Sequence, residues 1–246
     1  MKMFDRFEKK SISFEKPTGQ KTEVYIVSEI PIDGGSFGKI FKTVIRVGNL
    51  EEMFIVKKYR SNGSIWGEEG AQNSAQNAFK NYYLAKKAGL KVFPTFRIGE
   101  DKKSILMTAG FSDDSICIGS NTNKGIAHFE RPRIKEIENL GKFLTAIFTE
   151  GIKAANNNIS LYDDIFFFII SKTEPTKIDF VLGDLDLLEK LEPINDIRLE
   201  NIKVIKSTLT EFCNNNIDPS FSDDFFSKVE SCYEQNKNDI INSYKK

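Results

Sequence analysis

The sequence holds a single histidine, His128, in 246 residues. That scarcity excludes a good deal of chemistry. A two-histidine metal site cannot form within the chain, and a Ser-His-Asp arrangement has only His128 to draw on. His128 sits in the polar stretch NKGIAHFERPR, where a loop or surface histidine is the expectation. Cysteine is nearly as scarce. Cys117, Cys213 and Cys232 are odd in number and far apart, with no CxxC pair, so neither a zinc site nor a disulfide framework is indicated. A reducing, cytoplasmic setting is the expectation. Long apolar runs are missing too: the longest, Ile165 to Ile170, is far too short to span a bilayer. The opening MKMFDRFEKKSISFEK lacks the apolar core of a cleavable signal peptide, which leaves export by another route open. Net charge is absent as well. Thirty-five basic residues balance thirty-five acidic ones, so nothing draws the chain generally to nucleic acid or anionic membrane.

What is present reads as a globular α+β chain, long enough for one large domain or two small lobes. Residues 1–22 are polar and read as an arm. EVYIVSEIPI, KIFKTVIRV and MFIVKKY are β-branched, aromatic or alternating, which suits three consecutive antiparallel strands over roughly residues 23–59. A helix follows in AQNSAQNAFKNYYLAKKAG, with Ala75, Phe79, Tyr82 or Tyr83, and Ala85 at helical spacing. Lys86 and Lys87 suit its last turn, Gly89 its C-cap, and Pro94 forbids continuation. PTFRIGE and SILMTAG supply two more strands. The polar FSDDSICIGSNTNKG reads as a linker. A long helix is expected from Arg133 to about Ala155, then a loop or short strand at ISLYDD. The strands IFFFII and KIDFVLGDLDLL come next. Two terminal stripes follow, one of Ile197, Ile202, Ile205, Leu209 and Phe212, the other of Phe225, Val229, Tyr233 and Ile240.

The segment IDGGSFGKIFKTVIRV asks the functional question. Glycines at a strand-to-strand turn let backbone amides approach a phosphate chain, because no Cβ intervenes. Gly34, Gly35 and Gly38 would form such a loop, with Ser36 within it and Phe37 at its tip. A lysine on the next strand can reach beneath the loop and hold phosphates. In FIVKKY the alternation puts Ile55 with Lys57 and Val56 with Lys58, and Lys57 is the expected inward residue.

With these residues in hand, the sequence resembles the protein kinase-like fold over roughly residues 23–190. GGSFGKIF is similar to the kinase glycine loop, FIVKK to the strand carrying the nucleotide-holding lysine, and SILMTAG to the strand entering the hinge. IFFFII with FVLGDLD is similar to the paired strands that carry the metal-binding groups. The resemblance implies a two-lobed α+β protein. Its N-lobe, residues 23–110, would be a five-stranded antiparallel sheet with one helix, and its small, mainly helical C-lobe, residues 111–246, would carry a β hairpin. It implies ATP and Mg²⁺ as cofactors and a protein or small-molecule hydroxyl as phosphoacceptor. Lys57 would hold the nucleotide phosphates, beneath Gly34, Gly35, Ser36, Phe37 and Gly38. Met107 would line the adenine pocket, with backbone from Thr108 and Ala109. Asp164 and Asp184 would hold Mg²⁺, and Asp163 would orient the acceptor.

The departures from the family are specific. Its first loop glycine falls on Asp33. Its helical glutamate falls near Asn81, which cannot ion-pair with Lys57; Glu68 or Glu69 could serve only in another register. Where Asp164 takes the place of the catalytic-loop asparagine, the position five residues earlier is Ile159, so Asp163 is the nearest substitute base. Asp179 precedes a phenylalanine as in the family's Asp-Phe-Gly. Asp184 is preferred, because it leaves the preceding strand long enough to pair with Ile165–Ile170. Asp184 and Asp186 also fit a plain strand end and helix cap. After Asp186 only 60 residues remain (246 − 186), similar to the minimal kinase-like cores of some bacterial effectors and small atypical kinases. Three readings stand: a divergent active phosphotransferase, a pseudokinase acting as a nucleotide-binding or interaction module, and an unrelated α+β domain.

Overall fold

The computed structural model describes residues 11–16, 18–33, 38–60, 67–108, 115–119, 133–171, 176–190 and 197–244. The chain forms two compact units. One comprises Met1–Phe79 with Pro94–Ala109, the other Lys80–Phe93 with Gly110–Lys246.

The first unit is a closed antiparallel barrel. Its strands are β1 (Ser11–Glu15), β2 (Lys21–Asp33), β3 (Gly38–Val47), β4 (Leu50–Tyr59), β5 (Phe96–Gly99) and β6 (Ser104–Thr108), in the order β1-β2-β3-β4-β6-β5. The expected five-stranded sheet is thus corrected to six strands and closure. Ser11–Glu15, assigned to a polar arm, alternates enough to bury Phe14 completely, and it pairs with β2 on one side and β5 on the other. Phe14, Val24, Ile45, Val56 and Leu106 form the core, with Ile12 and Phe54 packed against it. The first five come from five different strands, and together the seven remove a continuous apolar surface from water. The β3–β4 hairpin turns through two residues, with Gly48 at φ 61°, where a Cβ would be strained.

Helix α1 (Gly67–Lys87) starts in the first unit and ends in the second. Its end follows from its sequence. Gly89, at φ 73°, donates its N–H to Lys86 O, and Leu90 donates to Ala85 O, which is a Schellman closure. Lys91 N–H then donates to the buried carboxylate of Glu150, and Lys153 Nζ donates to Gly89 O.

The rest of the second unit contains β7 (Ser115–Gly119), α2 (Leu140–Ala155), β8 (Ile159–Ser160), β9 (Phe166–Ser171), β10 (Ile178–Leu182), β11 (Glu189–Lys190), α3 (Ile197–Asn216) and α4 (Pro219–Ser243). Two expectations are corrected here. The stretch read as a linker contributes β7, which pairs antiparallel with β9, so the expected hairpin is part of a three-stranded sheet in the order β10-β9-β7. Its Ile116, Cys117 and Ile118 were outweighed by flanking Ser, Asp and Asn. The helix expected from Arg133 begins at Leu140. Residues 133–139 are held otherwise: Ile134 N–H donates to Asn216 O, and the Asn139 side chain both donates to Ile178 O and accepts from Ile178 N–H.

An aromatic chain makes the core of this unit. Phe143 of α2 meets Phe168 and Phe180 edge-on at 6.0 and 6.1 Å, Phe168 lies 4.3 Å from Phe212 of α3, and Phe212 lies 6.4 Å from Phe225 of α4. Tilted and edge-to-face pairs of this kind add to the burial of the rings. The terminal helices bury the expected stripes, every named residue of both. Asp218 caps α4, and hydrogen bonds from the Ser220 side chain and backbone hold its carboxyl below the usual range. Among the described residues no helix is long and apolar enough to cross a membrane.

Candidate functional site

The glycine segment divides at the edge of the described residues. Gly34, Gly35, Ser36 and Phe37 lie outside them, as does Ala109. Gly38 opens β3 and is buried. A Cβ added there would sit 2.8 Å from the backbone carbonyl oxygen of Lys58, so β4 approaches too closely for any other residue.

On β4 the two lysines part company as alternation requires. Val56 belongs to the barrel core, and Lys58 lies on the same face of the strand. Lys58 Nζ is 2.7 Å from Glu29 Oε2 on β2 and 4.5 Å from the centroid of the Phe41 ring. This ion pair joins residues 29 positions apart, and local sequence spacing carries no signal for it. Lys57 shares the other face with Ile55 and Tyr59, and its Nζ stands 4.7 Å from the Tyr59 ring. Met107 is buried in β6 opposite Ile55. Thr108, opposite Phe54, is tied to Thr95 twice: its N–H donates to Thr95 O, and its hydroxyl accepts from Thr95 N–H.

In the second unit the β9–β10 hairpin sets the remaining candidates. The register runs from Ile178 opposite Ile170 to Leu182 opposite Phe166. One step further, Gly183 N–H donates to Ile165 O at 2.9 Å. Asp163 and Asp164 occupy the 3₁₀ turn Asp163–Ile165 that leads into β9, and both are exposed. Asp184 follows β10 after one residue, Gly183. The hairpin therefore brings Asp163, Asp164 and Asp184 to one end of the pair, although 20 residues separate Asp164 from Asp184. Asp179 lies mid-hairpin on the outward face, ion-paired with Lys91 and accepting from Phe180 N–H.

Asp184 has an unusual backbone. At φ 32° and ψ 52° it is left-handed without being glycine. Its neighbours leave little freedom. A Cβ on Gly183 would fall 2.6 Å from the Phe167 ring and 2.8 Å from Phe93. A 3₁₀ turn, Leu185–Leu187, follows at once.

Two asparagines that serve this region were not identified as such from the sequence. Asn81, noted as the wrong residue for an ion pair, is buried and donates from Nδ2 to Leu185 O at 2.7 Å and Leu188 O at 2.8 Å. A carboxylate at that position would face two carbonyl oxygens with no proton to offer. Asn201, fully buried on α3, donates to Gly151 O and Ile159 O and accepts from Leu161 N–H. It thereby fixes the segment that runs into Asp163. Its polarity within an apolar helical stripe was the available signal. Ile159 is itself buried in β8, paired with Lys190 of β11.

Cys117 and Cys213 are buried. Burial pushes Cys117 up to about 12 and, as the largest influence, Cys213 up to about 11, so both stay protonated at neutral pH.

No protein-family model matches the sequence, and no curated protein does either. Among solved structures the chain is similar to the Helicobacter pylori proinflammatory kinase CtkA, at 9% identity and a TM-score of 0.41, over 85% of this chain and 93% of that one. It is also similar to the ROP18 kinase domain in complex with AMP-PNP and sucrose, at 8% identity and a TM-score of 0.40, over 95% of this chain and 86% of that one. Both neighbours are kinases, and both likenesses are slight.

Proposed function

We propose that the chain is a divergent ATP-dependent phosphotransferase of the kinase-like kind, acting on a protein or small-molecule hydroxyl. The observation that carries this reading is the hairpin end. Asp164 and Asp184 arrive there from opposite strands, and hard oxygen donors of this type suit Mg²⁺. Among the described residues no cluster of three or more His, Cys, Asp or Glu is set up to hold a metal by itself. That is compatible with Mg²⁺, which is commonly held by one or two carboxylates together with substrate phosphates. Phosphoryl transfer needs positioned charge more than covalent chemistry, and a bound Mg²⁺ supplies neutralisation of the phosphate oxygens. Lys57 is assigned to the nucleotide phosphates, the Gly34–Gly38 segment to cover them, and Met107 and Thr108 with Ala109 to the adenine side. Asp163, exposed beside Asp164, is assigned to orient the acceptor hydroxyl.

A second reading, a pseudokinase that binds nucleotide without transferring phosphate, is favoured by Ile159. The side chain five residues before Asp164 is apolar and buried, so it can neither accept nor donate a proton.

Thermal denaturation with and without Mg·ATP tests nucleotide binding. A ligand at 100 times its Kd adds about 2.7 kcal/mol to stability. Asp184→Asn is expected to abolish the Mg²⁺-dependent part of that gain while leaving the fold intact. Equal stabilisation of parent and variant by Mg·ATP would overturn the assignment of Asp184 as the metal ligand. Transfer of labelled γ-phosphate to an acceptor separates the active from the inactive reading.

A further inference from the structure

Asp184 holds a conformation that a residue with a Cβ adopts at a cost, so something must keep it there. Its own carbonyl and the turn after it accept hydrogen bonds from side chains elsewhere in the fold. Tyr162 donates its hydroxyl hydrogen to Asp184 O. Asn81 donates to Leu185 O and to Leu188 O from one buried amide. The span between those carbonyls is closed by Leu188 N–H to Leu185 O at 3.3 Å. The backbone before Asp184 is fixed as well, because Leu182 N–H donates to Lys91 O and Gly183 N–H to Ile165 O.

The choice of residue at position 81 is informative. Asparagine inside a helix is less favourable than alanine or glutamate, and a buried polar group is costly unless its partners are supplied. Here both amide hydrogens are used on two carbonyls of a distant turn. Asp and Glu have no donor when ionised, Ser has one, and Gln is a methylene longer. The local disfavour is offset by what the amide does for the turn, a pattern expected at functional positions.

We propose that Asn81, together with Tyr162, is a positioning residue that holds Asp184 left-handed and so presents its carboxylate, beside Asp164, to a divalent cation. This rests on the metal-ligand reading of Asp184.

The experiment has an apo arm and a ligand arm. In the apo arm, Asp184→Gly is made in the parent, in Asn81→Ala and in Tyr162→Phe, and urea midpoints are measured. Glycine takes a positive φ without the Cβ cost, so Asp184→Gly raises the midpoint in the parent. In the Asn81→Ala and Tyr162→Phe backgrounds the turn has already relaxed, and the gain disappears. The same gain in all three backgrounds overturns the clamp. Should Asn81→Ala fail to fold, Tyr162→Phe, which keeps the ring, decides the cycle alone. In the ligand arm, calorimetric Kd values are measured for Mg·ATP and for ATP in EDTA. Tyr162→Phe and Asn81→Ala are expected to weaken Mg·ATP about tenfold or more and to leave metal-free ATP within about twofold. Equal weakening of both ligands overturns the positioning role. Absence of Mg·ATP binding by the parent overturns the metal reading beneath it, a failure distinct from additivity in the apo cycle.

Discussion

Replacing Asn201 with alanine is expected to cost about 3–5 kcal/mol of folding stability. The magnitude follows from what the side chain does. Its Oδ1 accepts from Leu161 N–H at 2.9 Å, and its Nδ2 donates to Ile159 O at 2.9 Å and to Gly151 O at 3.1 Å, all without exposure to solvent. Truncation leaves the Leu161 donor and the Ile159 acceptor unpaired away from water, at roughly 1–3 kcal/mol each. The lost volume adds a cavity contribution, since Ile205 already packs so closely that a Cβ on Gly151 would meet its Cδ1 at 2.5 Å. Asn201→Asp refines the test. The shape is kept, but an ionised carboxylate would face two carbonyls. Burial raises the folded pKa of that carboxyl above its unfolded value. The native state then holds the proton to higher pH than the unfolded state, so the deficit relative to the parent grows as pH rises and shrinks as pH falls. Urea denaturation at neutral and mildly acidic pH, on parent and both variants, reads this directly. A loss below about 1 kcal/mol for Asn201→Ala, or a deficit of Asn201→Asp that ignores pH, would refute the accounting.

Two further outcomes follow from close approaches and burial. Gly183→Ala places a methyl 2.6 Å from the Phe167 ring and 2.8 Å from Phe93, and is expected to destabilise by about 1–3 kcal/mol in chemical denaturation, with near-ultraviolet dichroism reporting the displaced rings. Cys117, pushed by burial from 9.0 to about 12, gives stability that is complete below the unfolded value and lost as pH rises from there toward 12; Cys117→Ala is expected to flatten that alkaline limb.

Strong periodicity was legible in the sequence, and closure was not. The stripes on α3 and α4, the Gly89 cap and the register that carries β10 past Asp179 to Leu182 all follow local rules of spacing and capping. β1 and β7 were missed because each is only five residues long and flanked by polar residues; β7's partner β9 lies about 50 positions downstream, and of β1's two partners β2 is adjacent while β5 lies about 85 positions away. The start of α2 was misplaced for a related reason: Asn139 is bonded to Ile178 on a distant strand, and nothing near it in sequence reveals that. Around the candidate site, the acidic residues were readable as types. Asn81 and Asn201 were not readable as anchors, because an amide's partners are set by tertiary structure.

The seam of the barrel has a consequence for handling the protein. β1 meets β5 through only two residue pairs, Phe14 with Gly99 and Glu15 with Ile98, whereas β3 and β4 are zipped from Gly38–Tyr59 to Val47–Leu50. Loss of β1 would turn β2 and β5 into open edges, each with a row of unpaired amides and carbonyls. β2 already carries Tyr25, Val27 and Ile30 exposed along its length. Unzipping at that seam converts a closed ring into a template for strand addition by a second copy, so self-association should rise with removal of Ser11–Glu15 well before the rest of the barrel melts.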